Sequence, residues 1–277
     1  IITGKSDSMV DGTLKGATDS KLVFNNAKGM INSTNTELDT RIDLMGTTIL
    51  TANHSQSLGV IGKVNIDMNS ELRVANRDKT IDFSKELMGD GQFTVIETGL
   101  SGVDSIVNVA GDNSKLTGNI VIGSNADSGK TILAITDEIS IGSNNLVTIN
   151  DKGTLSLTSV ADTTFNHKLS GTGIMATNLS GNTLTMGNAN SLFTGDNFKG
   201  TLSLTHTKYL LDGSANTTAL KNATLKIGSQ AHVIVPENVG QQNIGGLAFD
   251  HGRLTFNDYI PDMDDAGYVA DGSIHAK

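Results

Sequence analysis

The sequence predicts an all-β fold, a right-handed parallel β-helix built as a solenoid. Three observations carry that expectation: a composition that alternates strand-forming with turn-forming residues, a short strand unit that recurs along the chain, and a spacing between units too long for hairpins.

Composition comes first. The chain has 277 residues with 31 Gly, 2 Pro and no Cys, and its abundant residues are Gly, Asn, Thr, Ser, Ile, Val and Leu. Branching at Cβ restricts χ1 of Thr, Val and Ile and suits a pleated surface, whereas Gly, Asn and Asp tolerate positive φ and suit turns. A helical enzyme of this size would instead show Ala, Leu, Glu and Lys at helical spacing.

The recurring unit is Gly or Asn, then Thr, then apolar-polar-apolar. It reads Gly153-Thr154-Leu155-Ser156-Leu157, Asn182-Thr183-Leu184-Thr185-Met186, Gly200-Thr201-Leu202-Ser203-Leu204, Ala223-Thr224-Leu225-Lys226-Ile227 and Gly252-Arg253-Leu254-Thr255-Phe256, with earlier relatives Gly62-Lys63-Val64-Asn65-Ile66 and Gly118-Asn119-Ile120-Val121-Ile122. Alternation with period two sends the apolar pair to one face and the polar residue to the other, the mark of a half-buried strand.

Spacing gives the architecture. From Leu155 onward the units follow one another after 29, 18, 23 and 29 residues, whereas a sandwich places strands every 8 to 12 residues or so with hairpin turns. One solenoid coil per unit is therefore expected, with stacked neighbours sharing a continuous core. A longer echo agrees: Leu87-Met88-Gly89-Asp90-Gly91 followed by Asn113-Ser114-Lys115-Leu116-Thr117-Gly118 returns about 80 residues later as Leu169-Ser170-Gly171-Thr172-Gly173 followed by Asn190-Ser191-Leu192-Phe193-Thr194-Gly195. Without a Pro-rich or Ser-rich linker, residues 1–257 read as one β-helix. Residues 258–277 lose the strand pattern and read as a cap, a linker or a partly disordered tail.

Charge and sequence extremes exclude several functions. With a net charge of -9 and no basic run, nucleic acid is not an expected partner, because phosphate binding needs clustered Lys and Arg. No apolar run reaches the roughly 20 residues of a spanning helix, so direct membrane insertion is not expected. The start, Ile1-Ile2-Thr3-Gly4, shows no charged segment followed by an apolar one.

Candidate chemistry is sparse. Gly123-Ser124-Asn125-Ala126-Asp127-Ser128-Gly129-Lys130-Thr131 ends like a phosphate-binding loop but has five residues between its glycines and leads into a strand-like segment, so no nucleotide cofactor is expected. Asp262, Asp264 and Asp265 lack the Gly and Glu of a calcium-binding loop and read as solvated. His54, His167, His206, His232, His251 and His275 show no zinc-binding spacing, and His206 reads as facing solvent. No serine occupies a nucleophile elbow; Asp127-Ser128-Gly129 comes nearest to the motif of exported serine proteases. Asp104 with Asp112 and Asp137 with Glu138 are the carboxylate pairs a polysaccharide-cleaving β-helix would need, but sequence does not place them in one groove. Catalytic, cofactor and metal sites are thus all read as none, and the binding surface stays unassigned among the outward faces.

The Leu-x-Gly-x-Gly turns, Asn-x-Leu-Thr-Met at Asn182, Asn-Ser-Leu-Phe-Thr-Gly at Asn190 and Gly-Thr-Leu-Ser-Leu at Gly200 together resemble the passenger repeat of bacterial autotransporters of the AIDA and antigen 43 type. The likeness is best over 87–257 and weak over the first 60 residues. It implies an exported passenger at the bacterial cell surface or secreted, outer-membrane anchored through a domain this chain lacks. It also implies adhesion, self-association or biofilm formation, with a host-surface glycan, a matrix protein or an identical passenger as partner. An inert presenting stalk and a polysaccharide-binding or polysaccharide-degrading enzyme are the alternatives.

Overall fold

A computed structural model describes residues 1–76, 78–97, 104–124, 129–187, 198–256 and 273–276. The expected fold class is what it shows: strands paired in parallel and stacked as a β-solenoid of about ten turns, with helix reduced, among the described residues, to one α-turn, Ala215–Thr218, and one 3-10 turn, Glu138–Ile141. The chain divides into two compact units, Ile1–Ser156 and Leu157–Lys277.

In the first unit the coil develops from one long strand, Lys21–Ile31. Its first half pairs with Arg41–Met45 and its second half with Ile49–Ala52, so a corner at Gly46 splits one side into two. Successive coils then add to three sides. The first continues through Lys63–Ile66 and Glu86–Gly89, and the second through Glu71–Asn76, Gln92–Glu97, Ile120–Ile122 and Leu146–Ile149. The third runs Thr80–Phe83, Ser105–Val109 and Thr131–Ile135.

Register stacks like side chains on like. On the second side Leu50, Leu72, Phe93, Ile120 and Val147 lie directly over one another, each fully buried, and Ala52, Val74, Val95, Ile122 and Ile149 form a parallel column. Each such aliphatic contributes about 1.5–3 kcal/mol on burial, against roughly 1–2 kcal/mol per residue for ordering the backbone. A coil therefore persists only within a stack.

The second unit repeats the principle on two main sheets. One runs Ile174–Asn178, Thr201–Thr205, Thr224–Ile227 and Gly246–Phe249; the other runs Thr163–Phe165, Thr183–Met186, Lys208–Leu210, His232–Val235 and Arg253–Phe256. Met175, Leu202 and Leu225 stack inward in the first, and Leu184, Tyr209 and Val233 in the second. Buried Tyr209 donates its hydroxyl to the Asn216 carbonyl at 2.6 Å, and burial keeps the phenol well above its ordinary pKa.

Two features refine the sequence reading. The recurrent strand units do become strands, one in each successive coil from Gly153 onward, but they do not share one side: the units at Gly200 and Ala223 lie in one sheet and those at Asn182 and Gly252 in another. Period two reveals a strand but not which side of the coil it occupies. Residues 273–276, in the segment without a strand pattern, form a strand in parallel register with Gln241–Ile244. In the long echo, Gly89 bridges to Leu116 and Gly171 bridges to Phe198; the segment 190–195 lies outside the described residues.

Candidate binding flank

Because each strand alternates, the residues between the buried ones face outward, and parallel register lines them up across coils. On the second side of the first unit two outward ladders result. One reads Asp7, Lys28, Ile49, Glu71, Gln92, and the other Met9, Met30, Thr51, Arg73, Thr94, Val121, Thr148. Neighbouring rungs stand about 4.8 Å apart.

Glu71 and Arg73 form the centre of this flank. Arg73 donates from Nη2 to Glu71 Oε2 at 2.8 Å, while Glu71 Oε1 accepts from Thr94 Oγ1 at 2.6 Å and from Gln92 Nε2 at 3.1 Å. Burial pushes the Glu71 carboxyl up, but the hydrogen bonds from Arg73, Thr94 and Gln92, with the guanidinium charge, outweigh it and hold the group below the ordinary carboxylate range. Glu71 is thus fixed as an anion with its acceptors occupied.

Shallow grooves open on either side of Arg73. One is lined by Asp7, Met9, Lys28, Met30, Ile49 and Thr51, the other by Glu71, Gln92, Thr94, Val121, Ser124 and Asn150. Lys28 is ion-paired to Asp7 at 2.7 Å. The flank mixes hydroxyl and amide groups with half-exposed aliphatics, a chemistry suited to many weak contacts.

Polar groups at the corners act inward instead. Asn113 accepts from the Leu87 N–H at 2.7 Å through Oδ1 and donates from Nδ2 to the Ser140 carbonyl at 2.6 Å, tying its own coil to those before and after it. Asn35 does the same between Leu14 and Ser57. Lys85, only 2% exposed, donates from Nζ to the carbonyls of Thr40 at 2.8 Å, Leu38 at 3.2 Å and Ile61. These roles were not readable from sequence, although Asn113 stands in the long echo.

The candidate chemical residues are placed apart. Asp112 accepts from the Ser114 N–H in an exposed turn, and Asp137 caps the turn that contains Glu138. His54 meets Asp78 at 3.1 Å, buried His167 packs on the Phe165 ring, and His251 is exposed beside Asp250. His206 turns with φ +45° directly after strand Thr201–Thr205 and is half-buried rather than fully facing solvent. His232 sits on the outer side of its strand, bonded to Thr255. The phosphate-loop-like segment runs into strand Thr131–Ile135, not a helix, while Asp127, Ser128, Asp262, Asp264, Asp265 and the His275 side chain lie outside the described residues. Among the described residues no group of three or more His, Cys, Asp or Glu converges to hold a metal ion, and no helix is long and apolar enough to cross a membrane.

Comparison with known proteins adds two relatives. The chain is 28% identical over 223 residues to the uncharacterized protein YuaQ of Escherichia coli (strain K12), a match covering 70% of this chain and 16% of that protein. It is 36% identical over 132 residues to the uncharacterized lipoprotein YdeK of the same organism, covering 46% of this chain and 9% of that protein. The chain therefore spans less than a fifth of the length of these curated relatives. No family model matches, and no solved structure matches.

Proposed function

We propose that this chain is one segment of a bacterial surface adhesin, and that the flank centred on Glu71 and Arg73 is the surface it uses to hold an identical chain, a glycan or a matrix protein. The observation that carries the reading is the pair of outward ladders in register across successive coils. Such ladders repeat hydrogen-bonding groups at strand spacing, and a second ladder or an extended polymer meets them many times over. Two further facts support it: a solenoid offers surface rather than an enclosed pocket, and the relative YdeK is named a lipoprotein, which fits placement of this chain in the cell envelope.

The polysaccharide-cleaving alternative gains no support from the flank. Cleavage by a carboxylate pair requires the two groups about 5–9.5 Å apart. Asp7 and Glu71 are three rungs apart, about 14 Å, and Glu71 is held ionised rather than ready to donate a proton.

The test is aggregation of beads coated with the purified chain, together with its retention on panels of glycans and matrix proteins. Concentration-dependent clumping or selective retention is expected. Neither clumping nor retention on any surface would leave the molecule a presenting stalk.

A further inference from the structure

The outer side of the Lys208–Leu210, His232–Val235 and Arg253–Phe256 strands in the second unit carries a different arrangement of charge. Lys208, His232 and Arg253 stand directly opposite one another on three successive parallel strands, with rungs about 4.8 Å apart.

Several other cations on outer faces meet carboxylates. Lys28 pairs with Asp7, Lys21 and Arg41 with Asp43, Lys63 with Glu86, and Lys226 with Asp250. Neither Lys208 nor Arg253 has a carboxylate at ion-pair distance among the described residues. Lys208 and Arg253 flank His232 two rungs apart, about 9.6 Å, and these cations, unneutralised in a chain of net charge -9, present a site for a partner of opposite sign.

Arg253 donates from Nη2 to Nδ1 of His232 at 3.0 Å, and Nε2 of His232 meets the Thr255 hydroxyl at 2.9 Å. An imidazole that accepts at Nδ1 is neutral and donates from Nε2. The column continues to Thr183, opposite Lys208, whose backbone N–H is bonded by Asp162 at 2.7 Å. Exposed Thr185 supplies a hydroxyl on the neighbouring outward row.

We propose that Lys208, His232 and Arg253 form a binding site for an anionic polysaccharide, its carboxylate or sulfate groups lying along the column and its hydroxyls meeting the adjacent threonines. The guanidinium offers a fork that fits such oxyanions and the ammonium a point charge. A duplex nucleic acid is disfavoured, since it needs many phosphate contacts and the surrounding chain is acidic. The site uses residues distinct from the Glu71–Arg73 flank and does not depend on it.

The charged groups facing His232 are Lys208 and Arg253. Burial first, then those two charges, keep its pKa below the ordinary imidazole value. Protonation of His232 removes the acceptor that holds Arg253 and adds a third positive charge. Affinity for the polyanion therefore rises as pH falls below the usual histidine range.

The experiment measures binding of the folded chain to heparin-type sulfated polysaccharide, polygalacturonate, neutral dextran and duplex DNA, with thermal melting to check each variant. The expected result is binding to one or both acidic polysaccharides and not to dextran. Lys208→Glu and Arg253→Glu are each expected to lower affinity about tenfold, whereas Lys79→Glu, the same charge change elsewhere, leaves it unchanged. The ratio of sulfated to uronate binding identifies the anion, and His232→Gln removes the pH dependence. Equal affinity of the wild type and both column variants, no binding to either acidic polysaccharide, or equal binding of duplex DNA would overturn the site.

Discussion

Gly118 lies against Gly91 one coil below so closely that a Cβ on Gly118 would stand 1.7 Å from the Gly91 carbonyl oxygen. The same approach recurs where a Cβ on Gly200 would fall 2.0 Å from the Gly173 carbonyl. These contacts are backbone to backbone, and no side-chain rotation relieves them. Gly118→Ala and Gly200→Ala should therefore each destabilise by about 1–3 kcal/mol, while Gly12→Ala, which meets nothing within 4 Å, leaves the melting temperature unchanged. Thermal melting followed by circular dichroism reads the difference.

The inward columns give a second expectation. Leu202 and Leu204 are fully buried, whereas Ser203 between them points outward and is half-exposed. Leu202→Asp or Leu204→Asp places an unpaired charge in the core and should unfold several coils. Ser203→Asp should melt like the wild type. Equal melting of all three variants would contradict the alternation.

Asn113 predicts a polar contribution to stability. Replacing it with Ala leaves the buried Leu87 N–H and Ser140 carbonyl without partners, each worth about 1–3 kcal/mol when unsatisfied. Asn113→Ala should accordingly cost more than Asn108→Ala, whose side chain bonds Asp82 in exposed surroundings. Urea denaturation of both variants makes the comparison.

Lys85 links stability to pH. Burial lowers its pKa from 10.5 to about 8, a fall only partly opposed by the charge of Asp39. Between those values the unfolded chain holds a proton that the folded chain has released, so this residue makes stability rise with pH from about 8 to about 10.5. Lys85→Met should flatten that slope. A wild type whose stability does not change over this interval relative to Lys85→Met would contradict the assignment.

The strands were legible in the sequence because period two is local: Leu202-Ser203-Leu204 declares its two faces without reference to anything else. Which side of the coil a strand joins was not legible, because inter-coil spacing varies from 21 residues between Leu72 and Phe93 to 27 between Phe93 and Ile120. For the same reason the Glu71–Arg73 flank was hidden. Its partners Gln92 and Thr94 come from the next coil, and register across a loop of variable length decides that they meet. Burial of Asn113 and Lys85 likewise depends on coils distant in sequence. The empty readings at the phosphate-like loop followed from the strand that succeeds it, which local composition at Thr131-Ile132-Leu133-Ala134-Ile135 already carried.

The flank itself is tested most directly by blocking it. The chain has no cysteine, so Thr51→Cys, on the outward ladder, and Ala134→Cys, outward on the third side, each create a unique attachment point for a polyethylene glycol maleimide. Polymer at position 51 should abolish bead aggregation or ligand retention, and polymer at position 134 should leave it intact. Unimpaired contact with position 51 blocked, or equal loss from both positions, would contradict the account.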